Sequence, residues 1–188
     1  MCEVLVVEDN EMIATEVLFL LDGITVRGKR LKKKSCPDER TAIHYLKNEP
    51  RIDILWTDWK ILQTPDGPGG HPGGANLIKW TFQNRYGVDK KTNIVLATRN
   101  PQGFMSCHPD LARFVVEYVG YGDFREKLAT RNGDPMITLF KKQGEDLLTR
   151  NAMEVERLVA LLLEKPRSPE PRSSVAPSSK VVVVPSFN

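Results

Sequence analysis

Five polar residues, Glu8, Asp9, Asp58, Thr98 and Lys141, stand where apolar runs end, and together they could do chemistry on phosphorus. Val4 to Val7 runs straight into Glu8 and Asp9. Ile52 to Trp56 ends in Thr57 and Asp58. Asn93 to Ala97 ends in Thr98, and Pro135 to Phe140 ends in Lys141 followed by Lys142. Three carboxylates held close together cannot all stay ionised without a cation. A hard divalent ion satisfies them, and Mg²⁺ suits the set because it keeps water and a phosphate oxygen in its shell. A carboxylate beside that ion can attack phosphorus and become an aspartyl phosphate. A Lys ammonium would pair with the phosphoryl oxygens as a point charge, and a Thr hydroxyl could hydrogen-bond the same group. In this scheme Glu8, Asp9 and Asp58 hold Mg²⁺, and Asp58 is the nucleophile.

The elements that must position these groups are legible in outline. Continuous β-branched and aliphatic runs read as strands covered on both faces. Between them lie helical patterns. Glu11 to Leu21 places Ile13, Val17, Leu20 and Leu21 at helical spacing, with Asn10 as a cap and Gly23 suited to a left-handed stop. Asp38 to Leu46, Ala75 to Phe82 and Asp110 to Tyr118 read as further helices, and Glu145 to Glu164 is the clearest of all. Gln63 to Gly74 is rich in Gly and Pro and reads as a loop. Alternating strands and helices imply right-handed crossovers and a parallel sheet. In such sheets ligands bind at the carboxyl ends of the strands, where the five polar residues collect.

Those motifs resemble the receiver domain of two-component response regulators. V-L-V-V-E-D-N at Val4–Asn10 is similar to the family's first strand and acidic pair, and I-D-I-L-W-T-D-W-K-I-L at Ile52–Leu62 to its phospho-acceptor segment. I-V-L-A-T at Ile94–Thr98 resembles the fourth strand with its switch Thr, and I-T-L-F-K-K at Ile137–Lys142 the fifth strand with its Lys. The resemblance implies a doubly wound, flavodoxin-like (βα)₅ fold with a five-stranded parallel sheet of order 2-1-3-4-5. It implies a phosphoryl group donated to Asp58 by a histidine kinase or phosphotransfer protein, with Mg²⁺ required. Phosphorylation would shift Thr98 and an aromatic on the fifth strand, and so alter the face built by the fourth and fifth elements.

The chain departs from the family pattern in several places. Leu62 stands where Pro is frequent, Arg99 follows the switch Thr, and Lys142 rather than Pro follows Lys141, so the two lysines compete for one role. The loop over about 63–74 is enlarged, as is the stretch over about 100–134. Lys60 and Asn100, two places after Asp58 and Thr98, occupy positions that tune phosphoryl lifetime in the family, and Lys60 is long enough to reach toward the phosphoryl group.

Composition bounds the rest. The chain has 188 residues, 40% hydrophobic and 27% charged, enough for one domain with a tail. Residues 1–165 read as the receiver-like domain, and 166–188, rich in Pro and Ser, as a disordered tail. The net charge of +3, from 27 basic and 24 acidic side chains, does not argue for nucleic-acid binding. No apolar run approaches the ~18 residues that a membrane helix needs. Cys2, Cys36 and Cys107 are far apart and read as free thiols in a reducing cytoplasm.

Several features have plainer readings. The basic run from Lys29 to Lys34 would lie on a sheet edge, where Lys discourages strand-to-strand aggregation, with an acidic partner surface as the alternative. The loop G-P-G-G-H-P-G-G lacks the Gly-Lys-Ser/Thr of a P-loop and reads as a lid or an insertion. His44, His71 and His108 have no metal-ligand spacing, and Trp56, Trp59 and Trp80 read as packing residues. The expected function is a stand-alone, non-enzymatic receiver acting on an output protein by direct contact. A degenerate, unphosphorylated receiver used as a binding module is the alternative. A phosphatase of the haloacid dehalogenase type is disfavoured, because its second Asp would fall where Lys60 stands.

Overall fold

In a computed structural model of the chain, residues 2–26, 28–49, 51–67, 71–85, 92–130, 136–141 and 147–163 are described. Lys142 and the 166–188 tail lie outside them. The apolar runs form parallel strands: β1 (Glu3–Val7), β4 (Lys32–Cys36), β5 (Ile52–Thr57), β6 (Asn93–Thr98), β7 (Val115–Glu117) and β8 (Ile137–Lys141). A small antiparallel hairpin, β2 (Thr25–Val26) and β3 (Lys29–Arg30), precedes β4, with Gly28 at φ 72° in its turn. The helices are α1 (Glu11–Asp22), α2 (Glu39–Asn48), α3 (Gly73–Arg85), α4 (Pro101–Cys107), α5 (Pro109–Ala112), α6 (Tyr121–Thr130) and α7 (Leu147–Leu163). Among the described residues, no helix is long and apolar enough to cross a membrane.

The main sheet has the order β4-β1-β5-β6-β8-β7. Its first five positions are the expected 2-1-3-4-5 arrangement. The sixth strand is an addition, and it accounts for the enlarged stretch after Thr98. Residues Asp110 to Tyr118 are not one helix as their sequence suggests. The helix ends at Ala112, and the β-branched pair Val115-Val116 extends beside β8. From β7 the chain returns inward through α6 to β8. A right-handed crossover in that reversed direction puts α6 on the opposite face from α4 and α5.

Two apolar layers cover the sheet. One joins Val6, Trp56 and Phe140 of the strands to Val17 of α1, Phe124 of α6 and Leu158 of α7. The other joins Val7, Leu55 and Leu96 to Leu46 of α2, Ile78 of α3 and Phe104 of α4. Two helix boundaries differ from the sequence reading. Gly23 follows α1 in a right-handed conformation (φ −73°), so no left-handed stop is used. Gly73 and Gly74 belong to α3 rather than to the preceding loop, and this first turn packs too close to the segment that follows β5, Asp58 to Leu62, for a larger residue.

Candidate functional site

The strand ends gather at one end of the sheet. Val7 pairs with Thr57, and the ladder continues one step further: the Asp58 N–H donates to the Val7 carbonyl (3.3 Å) and the Glu8 N–H to the Cys36 carbonyl (3.2 Å). Glu8 and Asp9 therefore leave β1 beside the point where Asp58 leaves β5. Glu8 is 7% exposed and Asp9 and Asp58 are half-buried. On the neighbouring pair of strands Thr98 is in register with Lys141. Thr98 is 1% exposed, while Lys141 is open to solvent. The backbone thus brings all five polar residues to the carboxyl ends of adjacent strands. Among the described residues no group of three His, Cys, Asp or Glu side chains is close enough to hold a metal ion, so the three carboxylates do not form a ready-made cage. A cation with a largely aqueous shell needs only one or two carboxylates, and the strand-end acids fit that weaker demand.

Local hydrogen bonds orient these groups. Asn10 accepts from the N–H groups of Met12 (3.0 Å) and Ile13 (3.2 Å), capping α1, while its own N–H donates to Glu8 Oε1 (3.4 Å). The Trp59 N–H donates to Asp58 Oδ1 (2.6 Å). Thr98 Oγ1 accepts from the Asn100 N–H (3.3 Å), and a hydroxyl that accepts can still donate. Lys60 does not point away on its own: its Nζ lies 4.7 Å from the Trp59 ring centroid, a cation–π contact. The aromatic residue of β8 is Phe140. By strand alternation it faces the side opposite Thr98, and it packs against Trp56 (5.5 Å) and Tyr118 (6.1 Å).

The backbone after Asp58 is held tightly from two sides. Leu62 forms a bridge with Asp38, and the Glu39 and Arg40 N–H groups donate to Leu62 (2.9 Å) and Gln63 (3.2 Å) carbonyls. From the other side Ile61 N–H donates to the His71 carbonyl (3.0 Å), and Gly74 N–H to the Trp59 carbonyl (3.2 Å). A Cβ on Gly74 would run into the Asp58 carbonyl and sit 2.9 Å from Trp59 Cα. The described part of the Gly- and Pro-rich segment is therefore a brace, and its glycines permit the close approach. Trp59 is buried edge-on against Phe104 (6.1 Å) and His108 (5.9 Å). Asp38, wholly buried, caps α2 through Thr41 N–H (2.8 Å). Sequence reading missed Gly74 and Asp38 as supports of the site. The Gly pair directly before a helical pattern was the available signal for the first.

The lysine run divides cleanly. Lys32 pairs with Glu3 (3.3 Å), Lys33 with Asp22, and Lys34 with Glu49 (2.6 Å) and Glu3 (3.7 Å). The contact with Lys33 holds the Asp22 carboxyl below its ordinary range. β4 is indeed the sheet edge, and its lysines are committed within the chain.

No family model matches this sequence, and no curated protein matches it. Solved structures do. The chain is similar to the phosphorylated cyanobacterial phytochrome response regulator RcpA, with 15% identity and a TM-score of 0.57 over 87% of this chain and 94% of that one. It is also similar to the Mn²⁺-bound form of the response regulator Rcp1, with 16% identity and a TM-score of 0.53 over 88% of this chain and 99% of that one. The flavodoxin-like α/β fold of this chain, extended by β7 and α6, is the fold of response-regulator receiver domains.

Proposed function

We propose that the chain is a phospho-accepting receiver in which Asp58 takes the phosphoryl group. The observation that carries this reading is the convergence of Glu8, Asp9 and Asp58 at neighbouring strand ends, with Thr98 and Lys141 in register beside them. A carboxylate oxygen of Asp58 forms the new bond to phosphorus as the bond from phosphorus to the donor, a phosphohistidine of a kinase or phosphotransfer protein, breaks. The Thr98 hydroxyl donates to a phosphoryl oxygen, and Lys141 supplies positive charge. A divalent cation, Mg²⁺ in the cell, would be held by Asp58 with one of the β1 acids, Glu8 or Asp9, and would neutralise the charge of the incoming phosphoryl group. The Mn²⁺-bound neighbour supports a divalent ion in this fold. The chain acts on a partner protein by contact rather than by turning over a substrate, and its place is the cytoplasm.

The test is intact mass after incubation with acetyl phosphate, with and without Mg²⁺, on the wild type and on Asp58→Asn. One added phosphoryl group, dependent on Mg²⁺ and missing from the Asn variant, is expected. No gain, together with no binding of beryllofluoride, would replace this reading with the unphosphorylated binding module. The tight bracing of the Asp58 loop and the Lys60–Trp59 stack are compatible with that second role.

A further inference from the structure

Lys32, Lys33 and Lys34 are paired internally; a quieter set of basic residues is not. Arg40, His44 and Lys47 are spaced i, i+4 and i+7 on α2 and form one solvent-facing stripe, opposite the buried Ala42 and Leu46. Arg40 and Lys47 form no ion pair with any described acid. Together with Ile43, the stripe makes one wall of a groove of about 400 Å³. Gln63 and Thr64 make the other wall. Glu39, at the head of the groove, is taken up by Asn76 (3.4 Å). The two walls are tied by the Glu39-to-Leu62 and Arg40-to-Gln63 hydrogen bonds, so the groove exists before anything enters it, and little ordering is left to oppose binding.

We infer that this groove docks an acidic segment of a partner protein, with carboxylates of the partner on Arg40 and Lys47 and an apolar side chain on Ile43. The inference stands apart from phosphorylation at Asp58. Charge complementarity selects the occupant. The stripe extends only about 10 Å along the helix, at 1.5 Å per residue, which is too short to neutralise a run of nucleic-acid phosphates. Its centre is the aliphatic Ile43, which suits a peptide side chain better than a sugar. Gln63 and Thr64 offer an amide and a hydroxyl to a peptide backbone.

The experiment uses the full chain and a fluorescein-labelled peptide of Asp-Glu-Leu-Glu repeated three times. Anisotropy measures affinity, and amide chemical shifts locate the site. Saturable binding is expected, weakened about tenfold by R40E/K47E and unchanged by R51E/R125E, which makes the same charge change elsewhere. The shifts should concentrate between Glu39 and Lys47 and at Gln63 and Thr64. Absence of saturable binding, equal losses in both double variants, or shifts confined to β4 would overturn the inference. Circular dichroism checks that R40E/K47E is folded, and R40Q/K47Q replaces it if α2 is disturbed.

Discussion

The two loops that leave the middle of the sheet are built by different means. After Asp58 the chain is gripped by backbone: bridges to Asp38 and Pro72, and a glycine pressed against the Asp58 carbonyl. After Thr98 it is held by side chains. Asn100 caps α4 through the Gly103 N–H (2.9 Å), and the atoms nearest a Cβ on Gly103 would be those of the Asn100 side chain. Backbone contact leaves the first loop one geometry, whereas a rotatable side chain lets the second adjust. A phosphoryl group on Asp58, as proposed, would therefore meet a rigid seat on one side and an adjustable one on the other. That is the arrangement a population shift requires, since one element must have a second position to go to.

Matched substitutions would break or sharpen this contrast. The largest difference is expected between the glycines. Gly74→Ala should cost about 3 kcal/mol or more, because the backbone of Asp58 and Trp59 must move, and Gly103→Ala less than about 1 kcal/mol, because the Asn100 side chain can turn away. Denaturant unfolding measures both, and similar midpoints would end the distinction. Gly74→Ala should also abolish phosphorylation by acetyl phosphate, which Gly103→Ala should keep.

The caps come next. Asp38→Ala should cost about 2 kcal/mol and Asn100→Ala about 0.5–1 kcal/mol, since the first cap is wholly buried and bridged to the Asp58 loop while the second is exposed. Thermal unfolding at fixed pH ranks them, and a larger loss for Asn100→Ala would invert the comparison.

The smallest perturbation uses the native thiols. Burial pushes the Cys36 thiol up to about 12, and its sulfur lies 3.9 Å from the Asp38 carbonyl, while Cys107 is exposed at the end of α4. With iodoacetamide at pH 8, Cys107 should be alkylated in the native state. Cys36 should lag by on the order of a thousandfold, waiting for the surrounding structure to open. Comparable rates would show that the structure around Cys36 is open in the native state.

How much of this was readable beforehand follows the same division. The strands announced themselves because parallel strands covered on both faces are continuous apolar runs, as in Val4–Val7 and Ile94–Ala97. Glu8, Asp9, Asp58, Thr98 and Lys141 could be placed at one sheet end because each follows such a run. Their side-chain arrangement could not, since local hydrogen bonds such as Trp59 N–H to Asp58 Oδ1 decide it. Three residues of strand, Val115–Glu117, are too few to outweigh a neighbouring helical pattern, and their extended form depends on β8, which is remote in sequence. The pairing of Lys32, Lys33 and Lys34 with Glu3, Asp22 and Glu49 was equally out of reach, because each partner comes from a different element.

The placement of β7 outside β8 also imposes an order of assembly. Every other strand of the main sheet has a neighbour made before it or is itself the founding pair member, whereas β7 pairs with β8 alone. During synthesis from the N-terminus, Val115–Glu117 leaves the ribosome before its partner strand exists, and it can take its final place only once Ile137–Lys141 lies between it and β6. Completion of the sheet therefore runs backward along the chain at this one point, across the connection that carries α6.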